Sequence, residues 1–519
     1  NQLSYPNGMV RSNTYHPKLN LLASIGYEKT QNGQTVAAHK YEYDHLMRPV
    51  QRKDSWEAAT PATTRDFTYN NRSELVEDRI GQDGSFSYQY DNIGNRKSAR
   101  ELEEEVSYEA NQLNQYTDVT GETELFTPSF DPDGNQTTIK TSTGIWEVSY
   151  DANNRPVSFT SEDGRITVTC GYDYQGRRFE KKVAVSGAIT SHAHYLYRGY
   201  LQVAELNMMH PMPVLEKSYL WNPAEAAATR ILMVTCWKEN GMVDGEHLFF
   251  THDALKNVTS IFDDRQTRRA RYEYAPFGAL LTAQGDMAQD NRFRFSCEYA
   301  DDELGLVYYN YRHLNPFDGR WINRDPITES GGINLYAFAQ NKILNHFDIL
   351  GLICKIEYSI KIHTILIRKI DKDGNILRFT TSRVFSGNGD GKNNPDNAGN
   401  KDNGPIPPGK YYVIKRQSGG IRSQFEDWTY KMWNDNDKTQ WLAFIAIDGV
   451  LDDQKEINGV FRSSFRMHYG TRSLGCITFL DKDVFEKVRE FILETESKTV
   501  KGADGTEYIY YGILEVKEE

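Results

Sequence analysis

The chain has little of several things, and each shortage excludes something. No stretch approaches the roughly 18 consecutive apolar residues that a membrane-crossing helix needs, so no helical membrane span is expected. Paired cysteine motifs are absent: Cys170, Cys236, Cys297, Cys354 and Cys476 are scattered, odd in number and free of CxxC spacing. That argues against a disulfide framework and against a cysteine zinc site. Positive charge is in deficit, 60 Lys and Arg against 72 Asp and Glu, a net charge of −12. Such a balance argues against general affinity for nucleic acid or anionic membranes. The acidity lies before residue 353; from Ile353 onward 16 Lys and 9 Arg balance 14 Asp and 11 Glu. A neutral tail is not what a nucleic-acid-cleaving tail usually carries. The amino end, NQLSYPNGMV, is not a signal peptide and has no initiator methionine. The expectation is a fragment or processed product, exported by a route that reads no amino-terminal signal in this piece.

What is abundant is aromatic. Tyrosine alone numbers 32, aromatics reach 12%, and apolar residues make up only 39% of 519 residues. Tyrosine richness without long apolar runs points to sheet surfaces, and the length to two to four domains. Short units recur: YEYDHLMRPVQRK at Tyr41, FTYNNRSELVEDR at Phe67, YQYDNIGNRKSAR at Tyr88, VSYDANNRPVSFT at Val148 and CGYDYQGRRFEKK at Cys170. Weaker copies start at Phe130, Phe250 and Tyr272. Each reads as a strand ending in Tyr-Asp, a turn rich in Asn, Gly and Asp, and a second strand. One hairpin cannot bury a core alone, so stacked copies predict long sheets.

These units resemble the YD repeats of Rhs proteins and of the related toxin-complex proteins, over roughly Asn1 to Ala283. A second stretch, from Phe293 to Leu352, is similar to the Rhs core-associated domain. Tyr308, Tyr309, Arg312, Pro316, Gly319, Arg320, Asp325, Pro326, Gly332, Asn334, Leu335, Tyr336, Asp348, Gly351 and Leu352 fall at that pattern's positions. The resemblance implies a hollow β-sheet cocoon, here a fragment of one, plugged by the core-associated segment and holding a variable carboxy-terminal toxin. It also implies self-cleavage of the Leu352–Ile353 bond by Asp325 and Asp348 as paired carboxylates, with Arg324 nearby. Two close carboxylates can share a proton, giving one acid and one base. Ile349 stands where the family has proline, a departure that bears on cleavage.

The expected organisation is therefore mainly β: a repeat shell over 1–292, a core-associated segment over 293–352 and a toxin domain over 353–519. In the last, KIEYSIKIHTILIRKID and NILRFTTSRVFSG read as a hairpin about Asp373-Gly374, IPPGKYYVIKR and WLAFIAIDG as strands, and TEYIYYGILEV as a closing hairpin. DKDVFEKVREFILET reads as one amphipathic helix with Val484, Phe485, Val488, Phe491 and Ile492 on one face. The segment between Ser386 and Pro405, dense in Gly and Asn, reads as a polar lid. Its Asp390, Asp396 and Asp402 lack the EF-hand order for calcium.

The segment FRMHYGTRSLGC, Phe465 to Cys476, carries the chemistry. A cysteine attacks carbonyl carbon as thiolate, so it needs a base and room for substrate. His468 supplies a base; the small Ser473 and Gly475 supply room, and Gly475 lets the Cys476 amide approach a developing oxyanion. No Asp or Asn of the motif is placed to orient the imidazole, which leaves that work to a backbone carbonyl. Arg466 and Arg472 flank the motif as candidates for a substrate carboxylate. His363, Trp428, Trp433 and Trp441 are candidates for the surroundings, with core packing the alternative for the tryptophans.

SLGCIT behind a nearby histidine resembles the signature of L,D-transpeptidases. Together with VFSGNG and GPIPPGKYYV it is similar to the type VI-secreted L,D-transpeptidase-like effectors that attack peptidoglycan. That resemblance implies a thioester on Cys476 with peptidoglycan stem peptides, resolved as L,D-carboxypeptidase, transpeptidase or D-amino-acid exchange in a target-cell periplasm. It further implies a periplasmic immunity protein and a type VI secretion spike or adaptor as partners, with no nucleic acid, cofactor or metal. Two alternatives stay open: a cysteine protease or amidase acting on protein, and a non-enzymatic surface adhesin.

Overall fold

The computed structural model describes residues 2–16, 21–57, 61–82, 84–223, 230–238, 245–326, 333–344, 356–360, 364–370, 376–382, 384–400, 403–415, 441–446, 454–457, 460–463, 465–469, 476–493, 498–501 and 507–517. It divides into two units, Asn1–Ile353 and Cys354–Glu519.

In the first unit the strands follow one another as antiparallel neighbours, in a sheet of 12 and then a sheet of 14. The Tyr-Asp turns explain why. In CGYDYQGRR the Asp173 carboxylate accepts from the amides of Gln175 and Arg177. The Asp173 amide donates to the Arg177 carbonyl, and the Gly176 amide to the Asp173 carbonyl. The aspartate thus closes the turn by imitating backbone, as short polar side chains do. The third residue after it takes the left-handed conformation: Met47 (φ 62°), Asn154 (φ 60°) and Gly176 (φ 81°). That is why Gly and Asn crowd this position.

The tyrosine before the aspartate, or before Asn70 in one copy, ties its hairpin to the preceding one. Its hydroxyl donates to a backbone carbonyl one hairpin back: Tyr69 to Pro49, Tyr90 to Leu75, Tyr150 to Gln136 and Tyr172 to Pro156. The arginine four residues after the aspartate reaches forward, Arg155 to the Asp173 carbonyl and Arg177 to that of Gly199.

The stretch after the repeats contributes a four-stranded sheet of Tyr299–Asp301, Leu306–Tyr308, His313–Asn315 and Arg320–Trp321. Its side chains cap the repeat turns. Tyr336 donates to the Gly134 carbonyl at 2.7 Å and Asn341 to that of Gly94 at 2.8 Å. The Tyr308 hydroxyl accepts from the Arg178 amide at 2.8 Å. Arg178 and Asp301 form an ion pair sealed from solvent at 2.6 Å. Tyr309, Trp321 and Phe338 pack edge to face at its centre.

The second unit has one main sheet in the order 376–381, 364–370, 356–359, 507–517, 409–415, 442–446, 466–469, 477–479, 384–385, with 498–501 paired to 507–517. Two expectations change here. Strand 356–359 turns back on 364–367, so the first apolar run is two strands, and only then does 365–370 pair with 376–381. Glu507–Lys517 is one continuous strand with neighbours on both sides, not a closing hairpin. Helix Lys482–Leu493 starts at Asp481, whose carboxylate accepts from the amides of Asp483 and Val484. It buries Phe485, Val488 and Ile492 against Met467, Ile477 and Phe479.

Candidate active site

The strand of His468 and the strand that follows Cys476 are direct neighbours. Arg466–Tyr469 pairs in parallel with Ile477–Phe479, in the register Met467 to Ile477, His468 to Thr478 and Tyr469 to Phe479. Parallel neighbours usually need a crossover of a dozen or more residues; here only residues 470–476 separate them. His468 and Thr478 are register partners and lie on one side of the sheet. Cys476 is the bend residue immediately before strand Ile477–Phe479. On the other flank Val384 and Phe385 pair with Phe479 and Thr478, so the segment that starts at Ser386 leaves from the strand next to the one that follows Cys476.

His468 is 6% exposed. Its Nδ1 lies 3.0 Å from the Tyr469 carbonyl oxygen. A carbonyl only accepts, so Nδ1 carries the proton and Nε2 is left with a lone pair. Nε2 faces the Thr478 hydroxyl at 3.5 Å. Burial lowers the proton affinity of His468, and the Tyr469 hydrogen bond only partly offsets that. The indole of Trp441 stacks on the imidazole, centroids 4.4 Å apart and planes 21° from parallel. Together these fix the ring as a neutral base of set orientation.

Cys476 is half-buried. Among the other described cysteines, Cys170 and Cys297 are buried and Cys236, like Cys476, is half-buried. Burial raises the thiol of Cys170, pushes Cys236 up to about 11 and Cys297 up to about 12. Cys297 also meets a histidine, His252 Nε2 at 3.9 Å, but both are sealed from solvent and burial drives that imidazole down too. A pair in which burial disfavours both charged forms is a packing contact, not a nucleophile and base.

The polar segment read as a lid is tied down. Ser386 is fully buried; its amide donates to Asn393 Oδ1 at 2.8 Å, and its hydroxyl accepts from the Ile406 amide at 2.7 Å. The Asn388 amide reaches the Asn403 carbonyl at 2.8 Å. Gly387 sits at φ +81°, where an added Cβ would meet the Gly391 carbonyl oxygen at 2.5 Å.

Of the remaining sequence candidates, Arg466 is half-buried and donates to the Phe465 carbonyl at 2.8 Å. Arg472, Ser473, Gly475, His363, Trp428 and Trp433 lie outside the described residues, as do Asp348, Leu352 and Ile353. Asp325 is buried and paired with Arg312 at 3.0 Å; Arg324 packs over Gly134, whose added Cβ would meet it. Sequence reasoning named no role for Thr478, Tyr469 or Trp441 at the imidazole. Only the strand after Cys476 hinted at the first.

Residues 380–503 match the family model described as the Tlde1 domain, a span that includes Ser386, His468 and Cys476. Among curated proteins, the chain is 27% identical over 293 residues to the tRNA3(Ser)-specific nuclease WapA of Bacillus spizizenii, covering 54% of this chain and 11% of that protein. It is 25% identical over 350 residues to the double-stranded DNA deaminase toxin A of Burkholderia cenocepacia, covering 62% of this chain and 23% of that one. The chain thus spans about a tenth to a quarter of the length of these two relatives. In fold it is similar to a chain of the TcdB2-TccC3 crystal structure, with a TM-score of 0.56, 18% identity, and 68% of this chain and 19% of that chain covered.

These likenesses overturn two expectations. The substrates printed in the relatives' names are tRNA and double-stranded DNA. Peptidoglycan stem peptides are therefore withdrawn as the target, together with the carboxypeptidase and transpeptidase activities on them, and nucleic acid is no longer excluded as a partner. The physical reason is plain: a histidine–cysteine spacing specifies a nucleophile and its base, not the polymer they meet. Net charge, likewise, speaks to non-specific affinity and not to a particular substrate. What stands is coarser: a mainly β chain, similar to Rhs-type polymorphic toxins.

Proposed function

We propose that the chain is the shell-and-cargo part of an Rhs-type toxin, and that the cargo, the second unit, is an enzyme with Cys476 as nucleophile and His468 as base. The observation that supports this most is the parallel register of 466–469 with 477–479, which pairs His468 with Thr478, two residues after Cys476. His468 Nε2 takes the thiol proton; the thiolate attacks an acyl carbon; the imidazolium returns the proton to the leaving group. The Cys476 amide, at the head of a strand, is a candidate donor to the oxyanion. The same reading includes release by cleavage at Leu352–Ile353, export by the producing cell through type VI secretion, and action in a rival cell.

The test is toxicity of the full chain in a sensitive cell, with Cys476→Ala and His468→Ala variants, each expressed in the cytoplasm and exported to the periplasm. Loss of killing in both variants is expected; full killing by Cys476→Ala overturns the mechanism. A second reading, favoured by the relatives' names, is that the toxin acts on nucleic acid. Degraded or deaminated tRNA or DNA in intoxicated cells supports it, and intact nucleic acid at the time of killing rejects it.

A further inference from the structure

We propose that Glu180, His192 and His194 form a binding site for a divalent first-row transition-metal ion of the Zn2+ class, on the sheet of the first unit. Strand Arg178–Val185 pairs antiparallel with Ala188–Arg198, in a register that sets Glu180 opposite His194 and Lys182 opposite His192. His192 and His194 are two apart and share a face, while Ala193 and Tyr195 between and beyond them point into the core. Both imidazoles aim the same nitrogen at the same oxygen: His192 Nε2 lies 2.8 Å, and His194 Nε2 3.1 Å, from Glu180 Oε1. The rings stand 5.2 Å apart at 76°. Among the described residues this is the group of three or more His, Cys, Asp or Glu side chains whose ligand atoms all fall within 4.8 Å.

The donor set selects the class of ion. Two imidazole nitrogens and one carboxylate oxygen suit zinc, nickel or copper, whereas calcium and magnesium prefer oxygen cages. At metal–ligand distances of about 2.0–2.1 Å, ligands around a tetrahedral ion sit roughly 3.3 Å from one another, close to the 2.8 and 3.1 Å that separate the two imidazole nitrogens from the carboxylate oxygen. All three side chains are about a fifth to three-tenths exposed, which leaves the fourth position open to water.

The Glu180 side chain is already turned toward both imidazoles, so the three donor atoms converge without a change of register. The Lys182 ammonium, 2.8 Å from the same Oε1, competes with an incoming cation and must swing away. The hairpin is already paired along its length, so the ion would be held by a preformed frame and would not create one.

The test is a Zn2+ titration of the metal-stripped full chain against a chromophoric chelator. With 12 histidines and five cysteines in the chain, the decisive quantity is the difference between proteins. Wild type is expected to bind one equivalent more than His192→Ala/His194→Ala. Glu180→Gln, which keeps the size and a hydrogen-bonding oxygen, is expected to weaken that equivalent at least tenfold, and Lys182→Met to tighten it severalfold. Equal stoichiometry and affinity in wild type and the double variant overturn the proposal. Equal affinity in Glu180→Gln removes the carboxylate from it and overturns the three-ligand site.

Discussion

At neutral pH a buried imidazole with lowered proton affinity is the free base, and His468 is such a group, held with Nδ1 on the Tyr469 carbonyl and Nε2 toward the Thr478 hydroxyl. The first prediction concerns the thiol. Iodoacetamide at pH 7 should label Cys476 well ahead of Cys170, Cys236 and Cys297, whose thiols burial holds protonated. His468→Ala should slow that labelling roughly tenfold or more, followed by peptide mass spectrometry. Labelling of Cys476 no faster than that of Cys297 would sink its role as nucleophile.

The second prediction concerns pH. Folded His468 binds its proton less readily than the unfolded residue, whose pKa is about 6.5. Below that pH the unfolded state takes up the proton while the folded state still resists it, so this contribution to stability is lost as pH falls. His468→Gln, which cannot titrate, should flatten the drop in melting temperature of the second unit between about pH 7 and pH 5. A drop of unchanged slope would assign it to other groups.

At the scale of elements, the Tyr-Asp hairpin is the repeating mechanical part, and its parts can be removed singly. Tyr172→Phe deletes one hydroxyl donor to the Pro156 carbonyl and should cost about 1 kcal/mol. Asp173→Ala strips the acceptor from two turn amides and from Arg177, and should cost about 2–3 kcal/mol by urea unfolding. Equal losses would mean that the turn does not depend on its aspartate. In the second unit, Gly387→Ala places a Cβ among three backbone atoms, at 2.5, 2.8 and 2.9 Å, from a positive φ. It should loosen the 386–406 loop, which leaves from the strand next to the one that follows Cys476, and lower activity while leaving the melting of the first unit unchanged.

These elements were also the legible ones. Tyr-Asp followed by Gly or Asn is local chemistry: each hairpin closes within a dozen residues, and its turn signal is in the sequence itself. Helix Lys482–Leu493 was legible for the same reason, its apolar face repeating at helical spacing. The parallel pairing beside Cys476, the stacking of Trp441 on His468 and the two-sided pairing of Glu507–Lys517 are long-range contacts, and no spacing in the chain announces them. Glu180 meets His192 and His194 only by register across a hairpin, and the sequence reading, which expected no metal, named none of the three.

At the scale of the whole molecule, each hydrophobic cluster among the described residues draws on one unit alone. Three clusters, around Phe277 and Trp321, around Trp146 and around Tyr27, belong to the first unit; the fourth, around Phe444 and Phe485, belongs to the second. Cooperativity follows shared cores, so two unfolding transitions are expected instead of one. The assignment can be forced by mutation. Trp321 and Phe485 are both fully or almost fully buried, and truncation of either to alanine should cost about 3–5 kcal/mol in its own unit. In scanning calorimetry Trp321→Ala should shift one transition by several degrees, and Phe485→Ala the other. The Phe485 variant should also lose Cys476 reactivity near its shifted midpoint, because helix 482–493 packs on the strands that carry His468 and follow Cys476. A single transition moved by both substitutions would overturn the expectation that the two units melt separately.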